Sequence, residues 1–314
     1  MLALLGIALV FLAVFGGFLL ERGNPYVLMQ PAELLIVGGA AVGIVVVANP
    51  PEVIGKMWRG MRTAFRKPIH TRASFVRYLR MLYEVFGYSM RAGAMALEAD
   101  VENPRASPIF KRYPEFLGDS ATLAFVCDSL RMVVIGATTA QELDQLMELD
   151  VDVRRRGRQQ PVAALSTVAD SLPGLGIVAA VLGVVITMQS IGGSPETVGE
   201  KVAAALVGTF LGILLCYGVV GPVAARLEHS GETDAQFLEV LRIAIVAYAR
   251  GSSPLLAVEY ARRSIPLELR PDFLELEAAI KRDARIPQAP VPGAPTPVIS
   301  SAPDSKDAEA AQPA

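Results

Sequence analysis

Histidine, cysteine and tryptophan are almost missing from this chain of 314 residues, which holds two, two and one of them. His70 and His229 stand isolated, and no Ser-His-Asp, HExxH, phosphate-loop or CxxC pattern is present, so no enzyme is expected. Cys127 and Cys216 are far apart in apolar helical patterns and read as small core residues, with no metal site and no disulfide framework. A basic surplus is absent too: the formal net charge of −2 argues against nucleic acid as a partner. No cofactor is implied. Charge of either sign is scarce, at 19% of residues against 52% hydrophobic, with a mean hydropathy of +0.42. A soluble domain of this size rarely averages so apolar, and an integral membrane protein surrounded by lipid is the first expectation.

What is present is organised around a hairpin. Between Asp170 and Pro222 the only charges are Glu196, Glu200 and Lys201, gathered at its turn. Each leg is uncharged for long enough to cross a bilayer as a helix, which takes about 20 residues. The spans are set at 170–192 and 201–225. Gly176, Ala180, Gly183 and Thr187 recur at helical spacing on the first leg; Ala205, Gly208 with Thr209, Gly212 and Cys216 recur on the second. Small residues on one face of a membrane helix let backbones approach closely, because lipid supplies no hydrophobic push. Gly176, Gly183, Ala205, Gly208 and Gly212 are therefore read as the packing face for a partner helix. Pro173 and Pro222 frame the hairpin near one membrane face.

Residues 1–20 form another uncharged run, enough for one helix. A secretory signal peptide is the alternative, against which stand the missing basic n-region and cleavage site. After a polar turn, Pro31 opens a second run over 31–49 that carries Gly39 and Gly43 and ends at Asn49, Pro50 and Pro51. Lys56, Arg59, Arg62, Arg66 and Lys67 follow it, Arg154, Arg155, Arg156 and Arg158 precede the hairpin, and Arg226 succeeds it. The two short turns hold only Arg22 and Lys201. The positive-inside rule then puts both turns outside and both termini in the cytoplasm.

The segment 50–169 is too long for a linker and reads as a cytoplasmic helical domain. Phe75, Leu79, Leu82 and Phe86 share one face. A proline-rich loop runs from Asn103 to Pro114, and a helix with Leu123, Val126, Cys127, Leu130 and Val134 stops at Gly136. Thr139 and Glu142 make a capping box for a helix that continues almost into the third span. Residues 226–285 are cytoplasmic helices broken at the sequence GSSP, with pieces at Pro254–Ser264 and Pro271–Arg285. The tail, 286–314, is proline, alanine and serine with scattered charge and is expected to be disordered. The fold class is thus an all-α polytopic membrane protein.

The stretches QPAELLIVGGA (Gln30–Ala40), LEADVENPRASPIFKRYPEFLGD (Leu97–Asp119), VADSLPGLGIVAAVLGVV (Val168–Val185), LVGTFLGILLCYG (Leu206–Gly218) and RPDFLELE (Arg270–Glu277) resemble the A subunit of the bacterial flagellar motor stator, the MotA family. The likeness runs to about Arg285. It implies an inner-membrane ring, understood in that family as a homo-pentamer around two B subunits. Each B subunit has a single membrane helix with an ion-carrying aspartate and a peptidoglycan-binding domain. The ring is thought to turn the rotor protein FliG of the switch complex. A TolQ- or ExbB-like energiser of an outer-membrane process, usually with three spans, and a passive membrane scaffold are the alternatives.

No carboxylate falls within a span, since Asp170 and Glu33 sit at edges, so the chain alone reads as an incomplete channel. Thr209, a mid-span hydroxyl on the small face, is placed to hydrogen-bond a partner carboxylate or its water; a back-bond to its own helix is the alternative. Asp170 suits a cap of the third helix, beside Ser171, and also attraction of cations at the inner mouth. Pro173 fits a first helical turn, whereas Pro222 removes a backbone bond late in a helix. By resemblance, the two prolines couple ion movement to the cytoplasmic domain. Glu98 matches a rotor-contact position; the family's basic partner position is Met90 here, with Arg91 beside it, and a solvated helix face is the alternative for both. Sodium-driven relatives carry a threonine where this chain has Ala180, so the coupling ion leans towards protons, with sodium left open through Thr187 or backbone carbonyls.

Overall fold

The computed structural model describes residues 2–65, 70–136, 138–189, 192 and 194–283. The tail 286–314, Arg285, and the basic residues Arg66 and Lys67 lie outside them. Among the described residues there is no strand, and four helical segments are long and apolar enough to cross a membrane.

Helix α1 (Leu2–Leu20) exposes Leu4, Leu9 and Leu12 and is long and apolar enough to cross a bilayer. It is held lightly, by Phe15 edge-on to Phe210 at 6.4 Å and by Val10 against Gly218. A 3₁₀ turn at Pro25–Leu28 leads into α2 (Pro31–Ala48), where Pro31 occupies a first-turn position that needs no N–H donor. Helix α2 packs through Glu33, Val37, Ala41 and Val45, spaced four apart. Gly39 and Gly43 face open space instead.

The part outside the spans begins with the amphipathic α3 (Pro51–Ala64) and α4 (Arg72–Ala92), the latter opened by a Thr71–Ser74 capping box. Short α5 (Glu98–Glu102) and α6 (Pro114–Gly118) follow. Asp119 then caps α7 (Ser120–Ile135), which ends on Gly136 at φ 65° as the sequence requires. Phe75, Leu79, Leu82 and Phe86 of α4 are fully enclosed with Phe110, Phe116 and Phe125, so the expected helix face is the core of this domain.

Helix α8 (Ala140–Met188) differs from expectation. It is a single helix of 49 residues that begins outside the spans and continues through the third one, with Pro161 and Pro173 inside it. At 1.5 Å per residue it is about 74 Å long. Its cap is Thr139, in a capping box with Glu142; Asp170 lies in mid-helix and caps nothing, and Pro173 is not in a first turn. The boundary at 169/170 therefore cuts a continuous rod. Each proline forfeits one backbone bond, but α2, α3, α9 and α10 pack along the rod and hold its geometry.

The return leg is likewise continuous. Helix α9 (Pro195–Leu215), capped by Ser194, passes through a π-helical turn at Cys216–Val220 into α10 (Gly221–Ala249), so the boundary at 225/226 also falls inside a helix. In the π turn the Gly221 N–H reaches the Cys216 carbonyl, one residue further back than in an α-helix. This rearrangement of bonding lies immediately before Pro222, which has no N–H to give. Helix α10 breaks at Gly251 (φ 90°), and α11 (Pro254–Ser264) and α12 (Phe273–Asp283) close the core outside the spans. Arg242 joins α10 to α8, its guanidinium 2.5 Å from Asp144 and 2.7 Å from Glu239; Arg250 adds a second bond to Asp144 at 2.8 Å.

Candidate functional site

The two rods meet in a seam of small residues. A Cβ added to Gly176 would come within 2.7 Å of the Gly208 carbonyl oxygen, and one on Gly212 within 2.5 Å of the Leu172 carbonyl oxygen. One on Gly183 would press on Ala205 at 2.7 Å. Gly176, Gly183, Ala205, Gly208 and Gly212 are thus consumed inside one chain, helix α8 against α9. The face expected to receive a partner helix is occupied, in this chain, by its own neighbouring helix, because close backbone approach is what two helices in lipid need.

A carboxylate enters this seam that the sequence places at an edge. Glu33, in the first turn of α2, is 7% exposed, and its Oε2 has no hydrogen-bond partner. A Cβ on Gly208 would stand 2.6 Å from that oxygen, and one on Gly183 would stand 3.3 Å from Oε1. The two glycines therefore make the notch into which the carboxylate fits. A charge here would need a cation or water to balance it, because Oε2 has no hydrogen-bond partner. In the sequence Glu33 looks like an acid favoured by a helix N-terminus. The glycines opposite are the missing signal, and they lie on other helices.

Ala180 and Thr209 come together at the rim of the seam: the Ala180 amide lies beside Gly208, and the Thr209 backbone beside Gly176. Both are half-buried. Thr187 bonds back to the Gly183 carbonyl at 2.8 Å, but Thr209 makes no such bond. Its hydroxyl is unspent, and Ala180 contributes no oxygen. Asp170 is exposed on α8, and the π turn at Cys216–Val220 immediately precedes Pro222. Pro173 is half-buried one turn along α8 from Asp170.

At the opposite pole of the molecule, Arg91 ends α4 and Glu98 starts α5, separated by Gly93 (φ 90°) and a 3₁₀ turn at Ala94–Leu97. Both charges are exposed at this corner, with Met90 and Met95 exposed beside them at 63% and 66%. Between pole and membrane lies a joint that sequence inspection passed over. His70 Nε2 is 2.8 Å from Asp234 Oδ1, the ring stacks on Phe237 at 3.9 Å, and Arg158 binds the other Asp234 oxygen. Burial, assisted by Arg158 and opposed by Asp119, pushes the His70 imidazole down to about 4. The neutral ring donates from Nε2 to the carboxylate.

Residues 4–93 match the N-terminal region of motility protein A, and residues 119–239 match the MotA/TolQ/ExbB proton channel family. Motility protein A of Escherichia coli (strain K12) is 37% identical over 281 residues, covering 90% of this chain and 95% of that one. Chemotaxis protein LafT of Vibrio parahaemolyticus is 33% identical over 273 residues, covering 87% and 96%. In three dimensions the chain superposes on MotAB of C. jejuni with a TM-score of 0.71 at 18% identity, covering 85% of this chain and 96% of the other, a likeness of fold.

Proposed function

The chain belongs to the motility protein A family, and from that premise we propose that it is the A subunit of a flagellar motor stator. With a single-span B subunit it forms a proton-conducting complex and converts ion flow into torque. The observation that carries this reading is the pair of uninterrupted rods, α8 and α9–α10, each running from the outer turn through the span into the cytoplasmic core. A displacement at Asp170, Pro173, the π turn or Pro222 is thereby delivered to the domain that bears Arg91 and Glu98.

Several finer assignments follow from the same reading. The subunit lies in the inner membrane with both termini cytoplasmic, as the basic residues beside the spans favour. Five copies surround two B helices. Each B helix seats against the rim of the seam, where Thr209 has a free hydroxyl and Ile177, Leu206 and Ile213 are exposed. The B subunit supplies the ion-carrying aspartate, and among the described residues Glu33 is the one buried carboxylate. The ion is a proton, because Ala180 offers no oxygen ligand for a partly dehydrated sodium ion. The Arg91–Glu98 corner meets the rotor protein FliG.

The test is proton uptake by proteoliposomes under an imposed gradient. Uptake is expected when the chain is reconstituted with its B subunit, unaffected by removing sodium, and absent with the chain alone. Conduction by the chain alone would overturn the division of labour. Uptake or swimming that tracks sodium at fixed pH would overturn the proton assignment.

A further inference from the structure

Helix α3 has a face that the rest of the protein leaves uncovered. Val53, Met57 and Ala64 are buried against Ala164, Leu165, Val223 and Ala224, while Lys56, Trp58, Arg59 and Arg62 point outward. Trp58 is 65% exposed and is the single tryptophan of the chain. Other arginines outside the spans meet acids: Arg77 with Glu115, Arg112 with Glu84, Arg154 with Asp150, Arg242 with Asp144. Among the described residues Lys56, Arg59 and Arg62 form no ion pair; Arg59 donates back to the Gly55 carbonyl at 3.3 Å. The acid of this helix, exposed Glu52, sits in its first turn, four residues before Lys56. At about 100° per residue Trp58 lies at one edge of the outward face, which is cationic beyond that first turn.

Its position is set by the two ends. Only Asn49 and Pro50 separate α3 from α2, so it starts where a membrane span stops. A helix of 14 residues descending beside α10 would end about 20 Å deeper. Instead a Cβ on Gly60 would touch Leu227 at 2.9 Å, and the Ala64 carbonyl accepts from Arg226, both within about a turn of Val223 and Ala224. The helix thus runs across the ends of the spans rather than away from them. Amphipathic helices in that position, with basic residues and tryptophan on the free face, lie at the headgroup level of a bilayer.

We propose that Lys56, Trp58, Arg59 and Arg62 form a binding surface for anionic phospholipid headgroups of the leaflet in which α2 ends. The guanidinium and ammonium groups match phosphate oxygens, and the indole occupies the boundary between headgroup and acyl chain. The docked lipid fixes the height of α3, and with it the point where α8 and α10 leave the membrane. This inference rests on the membrane reading and not on the stator role.

Trp58 makes the test direct, because all tryptophan fluorescence comes from it. The full chain is reconstituted in nanodiscs holding spin-labelled phosphatidylglycerol or spin-labelled phosphatidylcholine at equal fraction, with the label near the glycerol. Quenching is expected from both, stronger from phosphatidylglycerol, and the preference should fade in high salt. Each basic residue near an anionic surface contributes about fivefold in affinity. The triple variant Lys56→Gln, Arg59→Gln, Arg62→Gln, shown by circular dichroism to keep its helix content, should therefore stay quenched but bring the lipid preference close to one. An unquenched Trp58 would mean that water or protein covers the face, and equal quenching by the two lipids in the parent would mean no anionic recognition. Either result overturns the proposal, whereas failure to enter nanodiscs at all would refute the membrane reading beneath it.

Discussion

Where α8 meets α9 the contact is backbone on backbone, at Gly176, Gly183, Gly208 and Gly212, with hardly a side chain between. Where α4 meets α10, the contact is Phe75 and Tyr78 on Phe237, and Phe86 stacked on Tyr248 at 4.3 Å. The solvent explains the contrast. In water each buried phenylalanine contributes about 2–3 kcal/mol by leaving solvent. In lipid that gain vanishes, and only close approach of the helices improves on contact with acyl chains. The same change, adding or removing side-chain bulk, should therefore act in opposite senses in the two regions.

The largest effect is expected from adding bulk to the seam. Gly212→Leu puts its first side-chain carbon on the Leu172 carbonyl and on the Gly176 backbone, which no rotamer can relieve. Purified complex with the B subunit and motility should both be lost. Gly39→Leu, equally bulky but facing open space, should spare the hairpin. Recovery of a normal complex from Gly212→Leu would break the comparison at its root. Removing bulk from the core comes next: Phe86→Ala should cost about 3–5 kcal/mol. It should raise hydrogen exchange in α4 by about two to four orders of magnitude while the spans stay protected. Equal loosening of both regions would show that they do not unfold separately.

Much of this was legible in the sequence, because spans, caps and breaks are local. The Thr139–Glu142 box, Gly136 and Ser253–Pro254 are boundaries written in a few residues each. The continuity of α8 through Pro173 was not, since a proline reads as a boundary and only neighbouring helices keep the rod straight. The small-residue faces were visible, but periodicity says that a face packs closely and not what it packs on. Glu33 was hidden for the same reason, its notch being made by Gly183 and Gly208 on two other helices. The His70–Asp234–Arg158 joint brings together residues from three distant stretches, which no spacing rule connects.

That joint lies between the two regions and supplies the third prediction. The folded His70 is pushed from the ordinary value of 6.5 down to about 4. Between those limits the unfolded chain binds a proton that the folded one refuses, so stability rises with pH. The contribution is complete above about 6.5 and is lost as pH falls towards about 4. Protection of the α10 segment around Asp234 and Phe237 should weaken over that window in hydrogen exchange. His70→Gln, which keeps a donor but cannot titrate, should flatten the slope, and an unchanged slope would place the titrating group elsewhere.

The smallest effect concerns Thr209, and it separates packing from chemistry at the rim of the seam. Valine keeps the branched shape and removes only the hydroxyl; serine keeps the hydroxyl and removes a methyl group. If Thr209 only fills space, valine is the better replacement, because losing a methyl costs about 0.8 kcal/mol and leaves a gap. If the hydroxyl serves the ion path, the order reverses. A hydrogen bond of about 1 kcal/mol corresponds to about a fivefold change in rate. Thr209→Val should then reduce proton uptake by about that factor while Thr209→Ser stays near the parent. The absence of a back-bond at Thr209, where Thr187 has one, favours the second order. Uptake in which valine matched the parent and serine fell behind would return Thr209 to the packing of the seam.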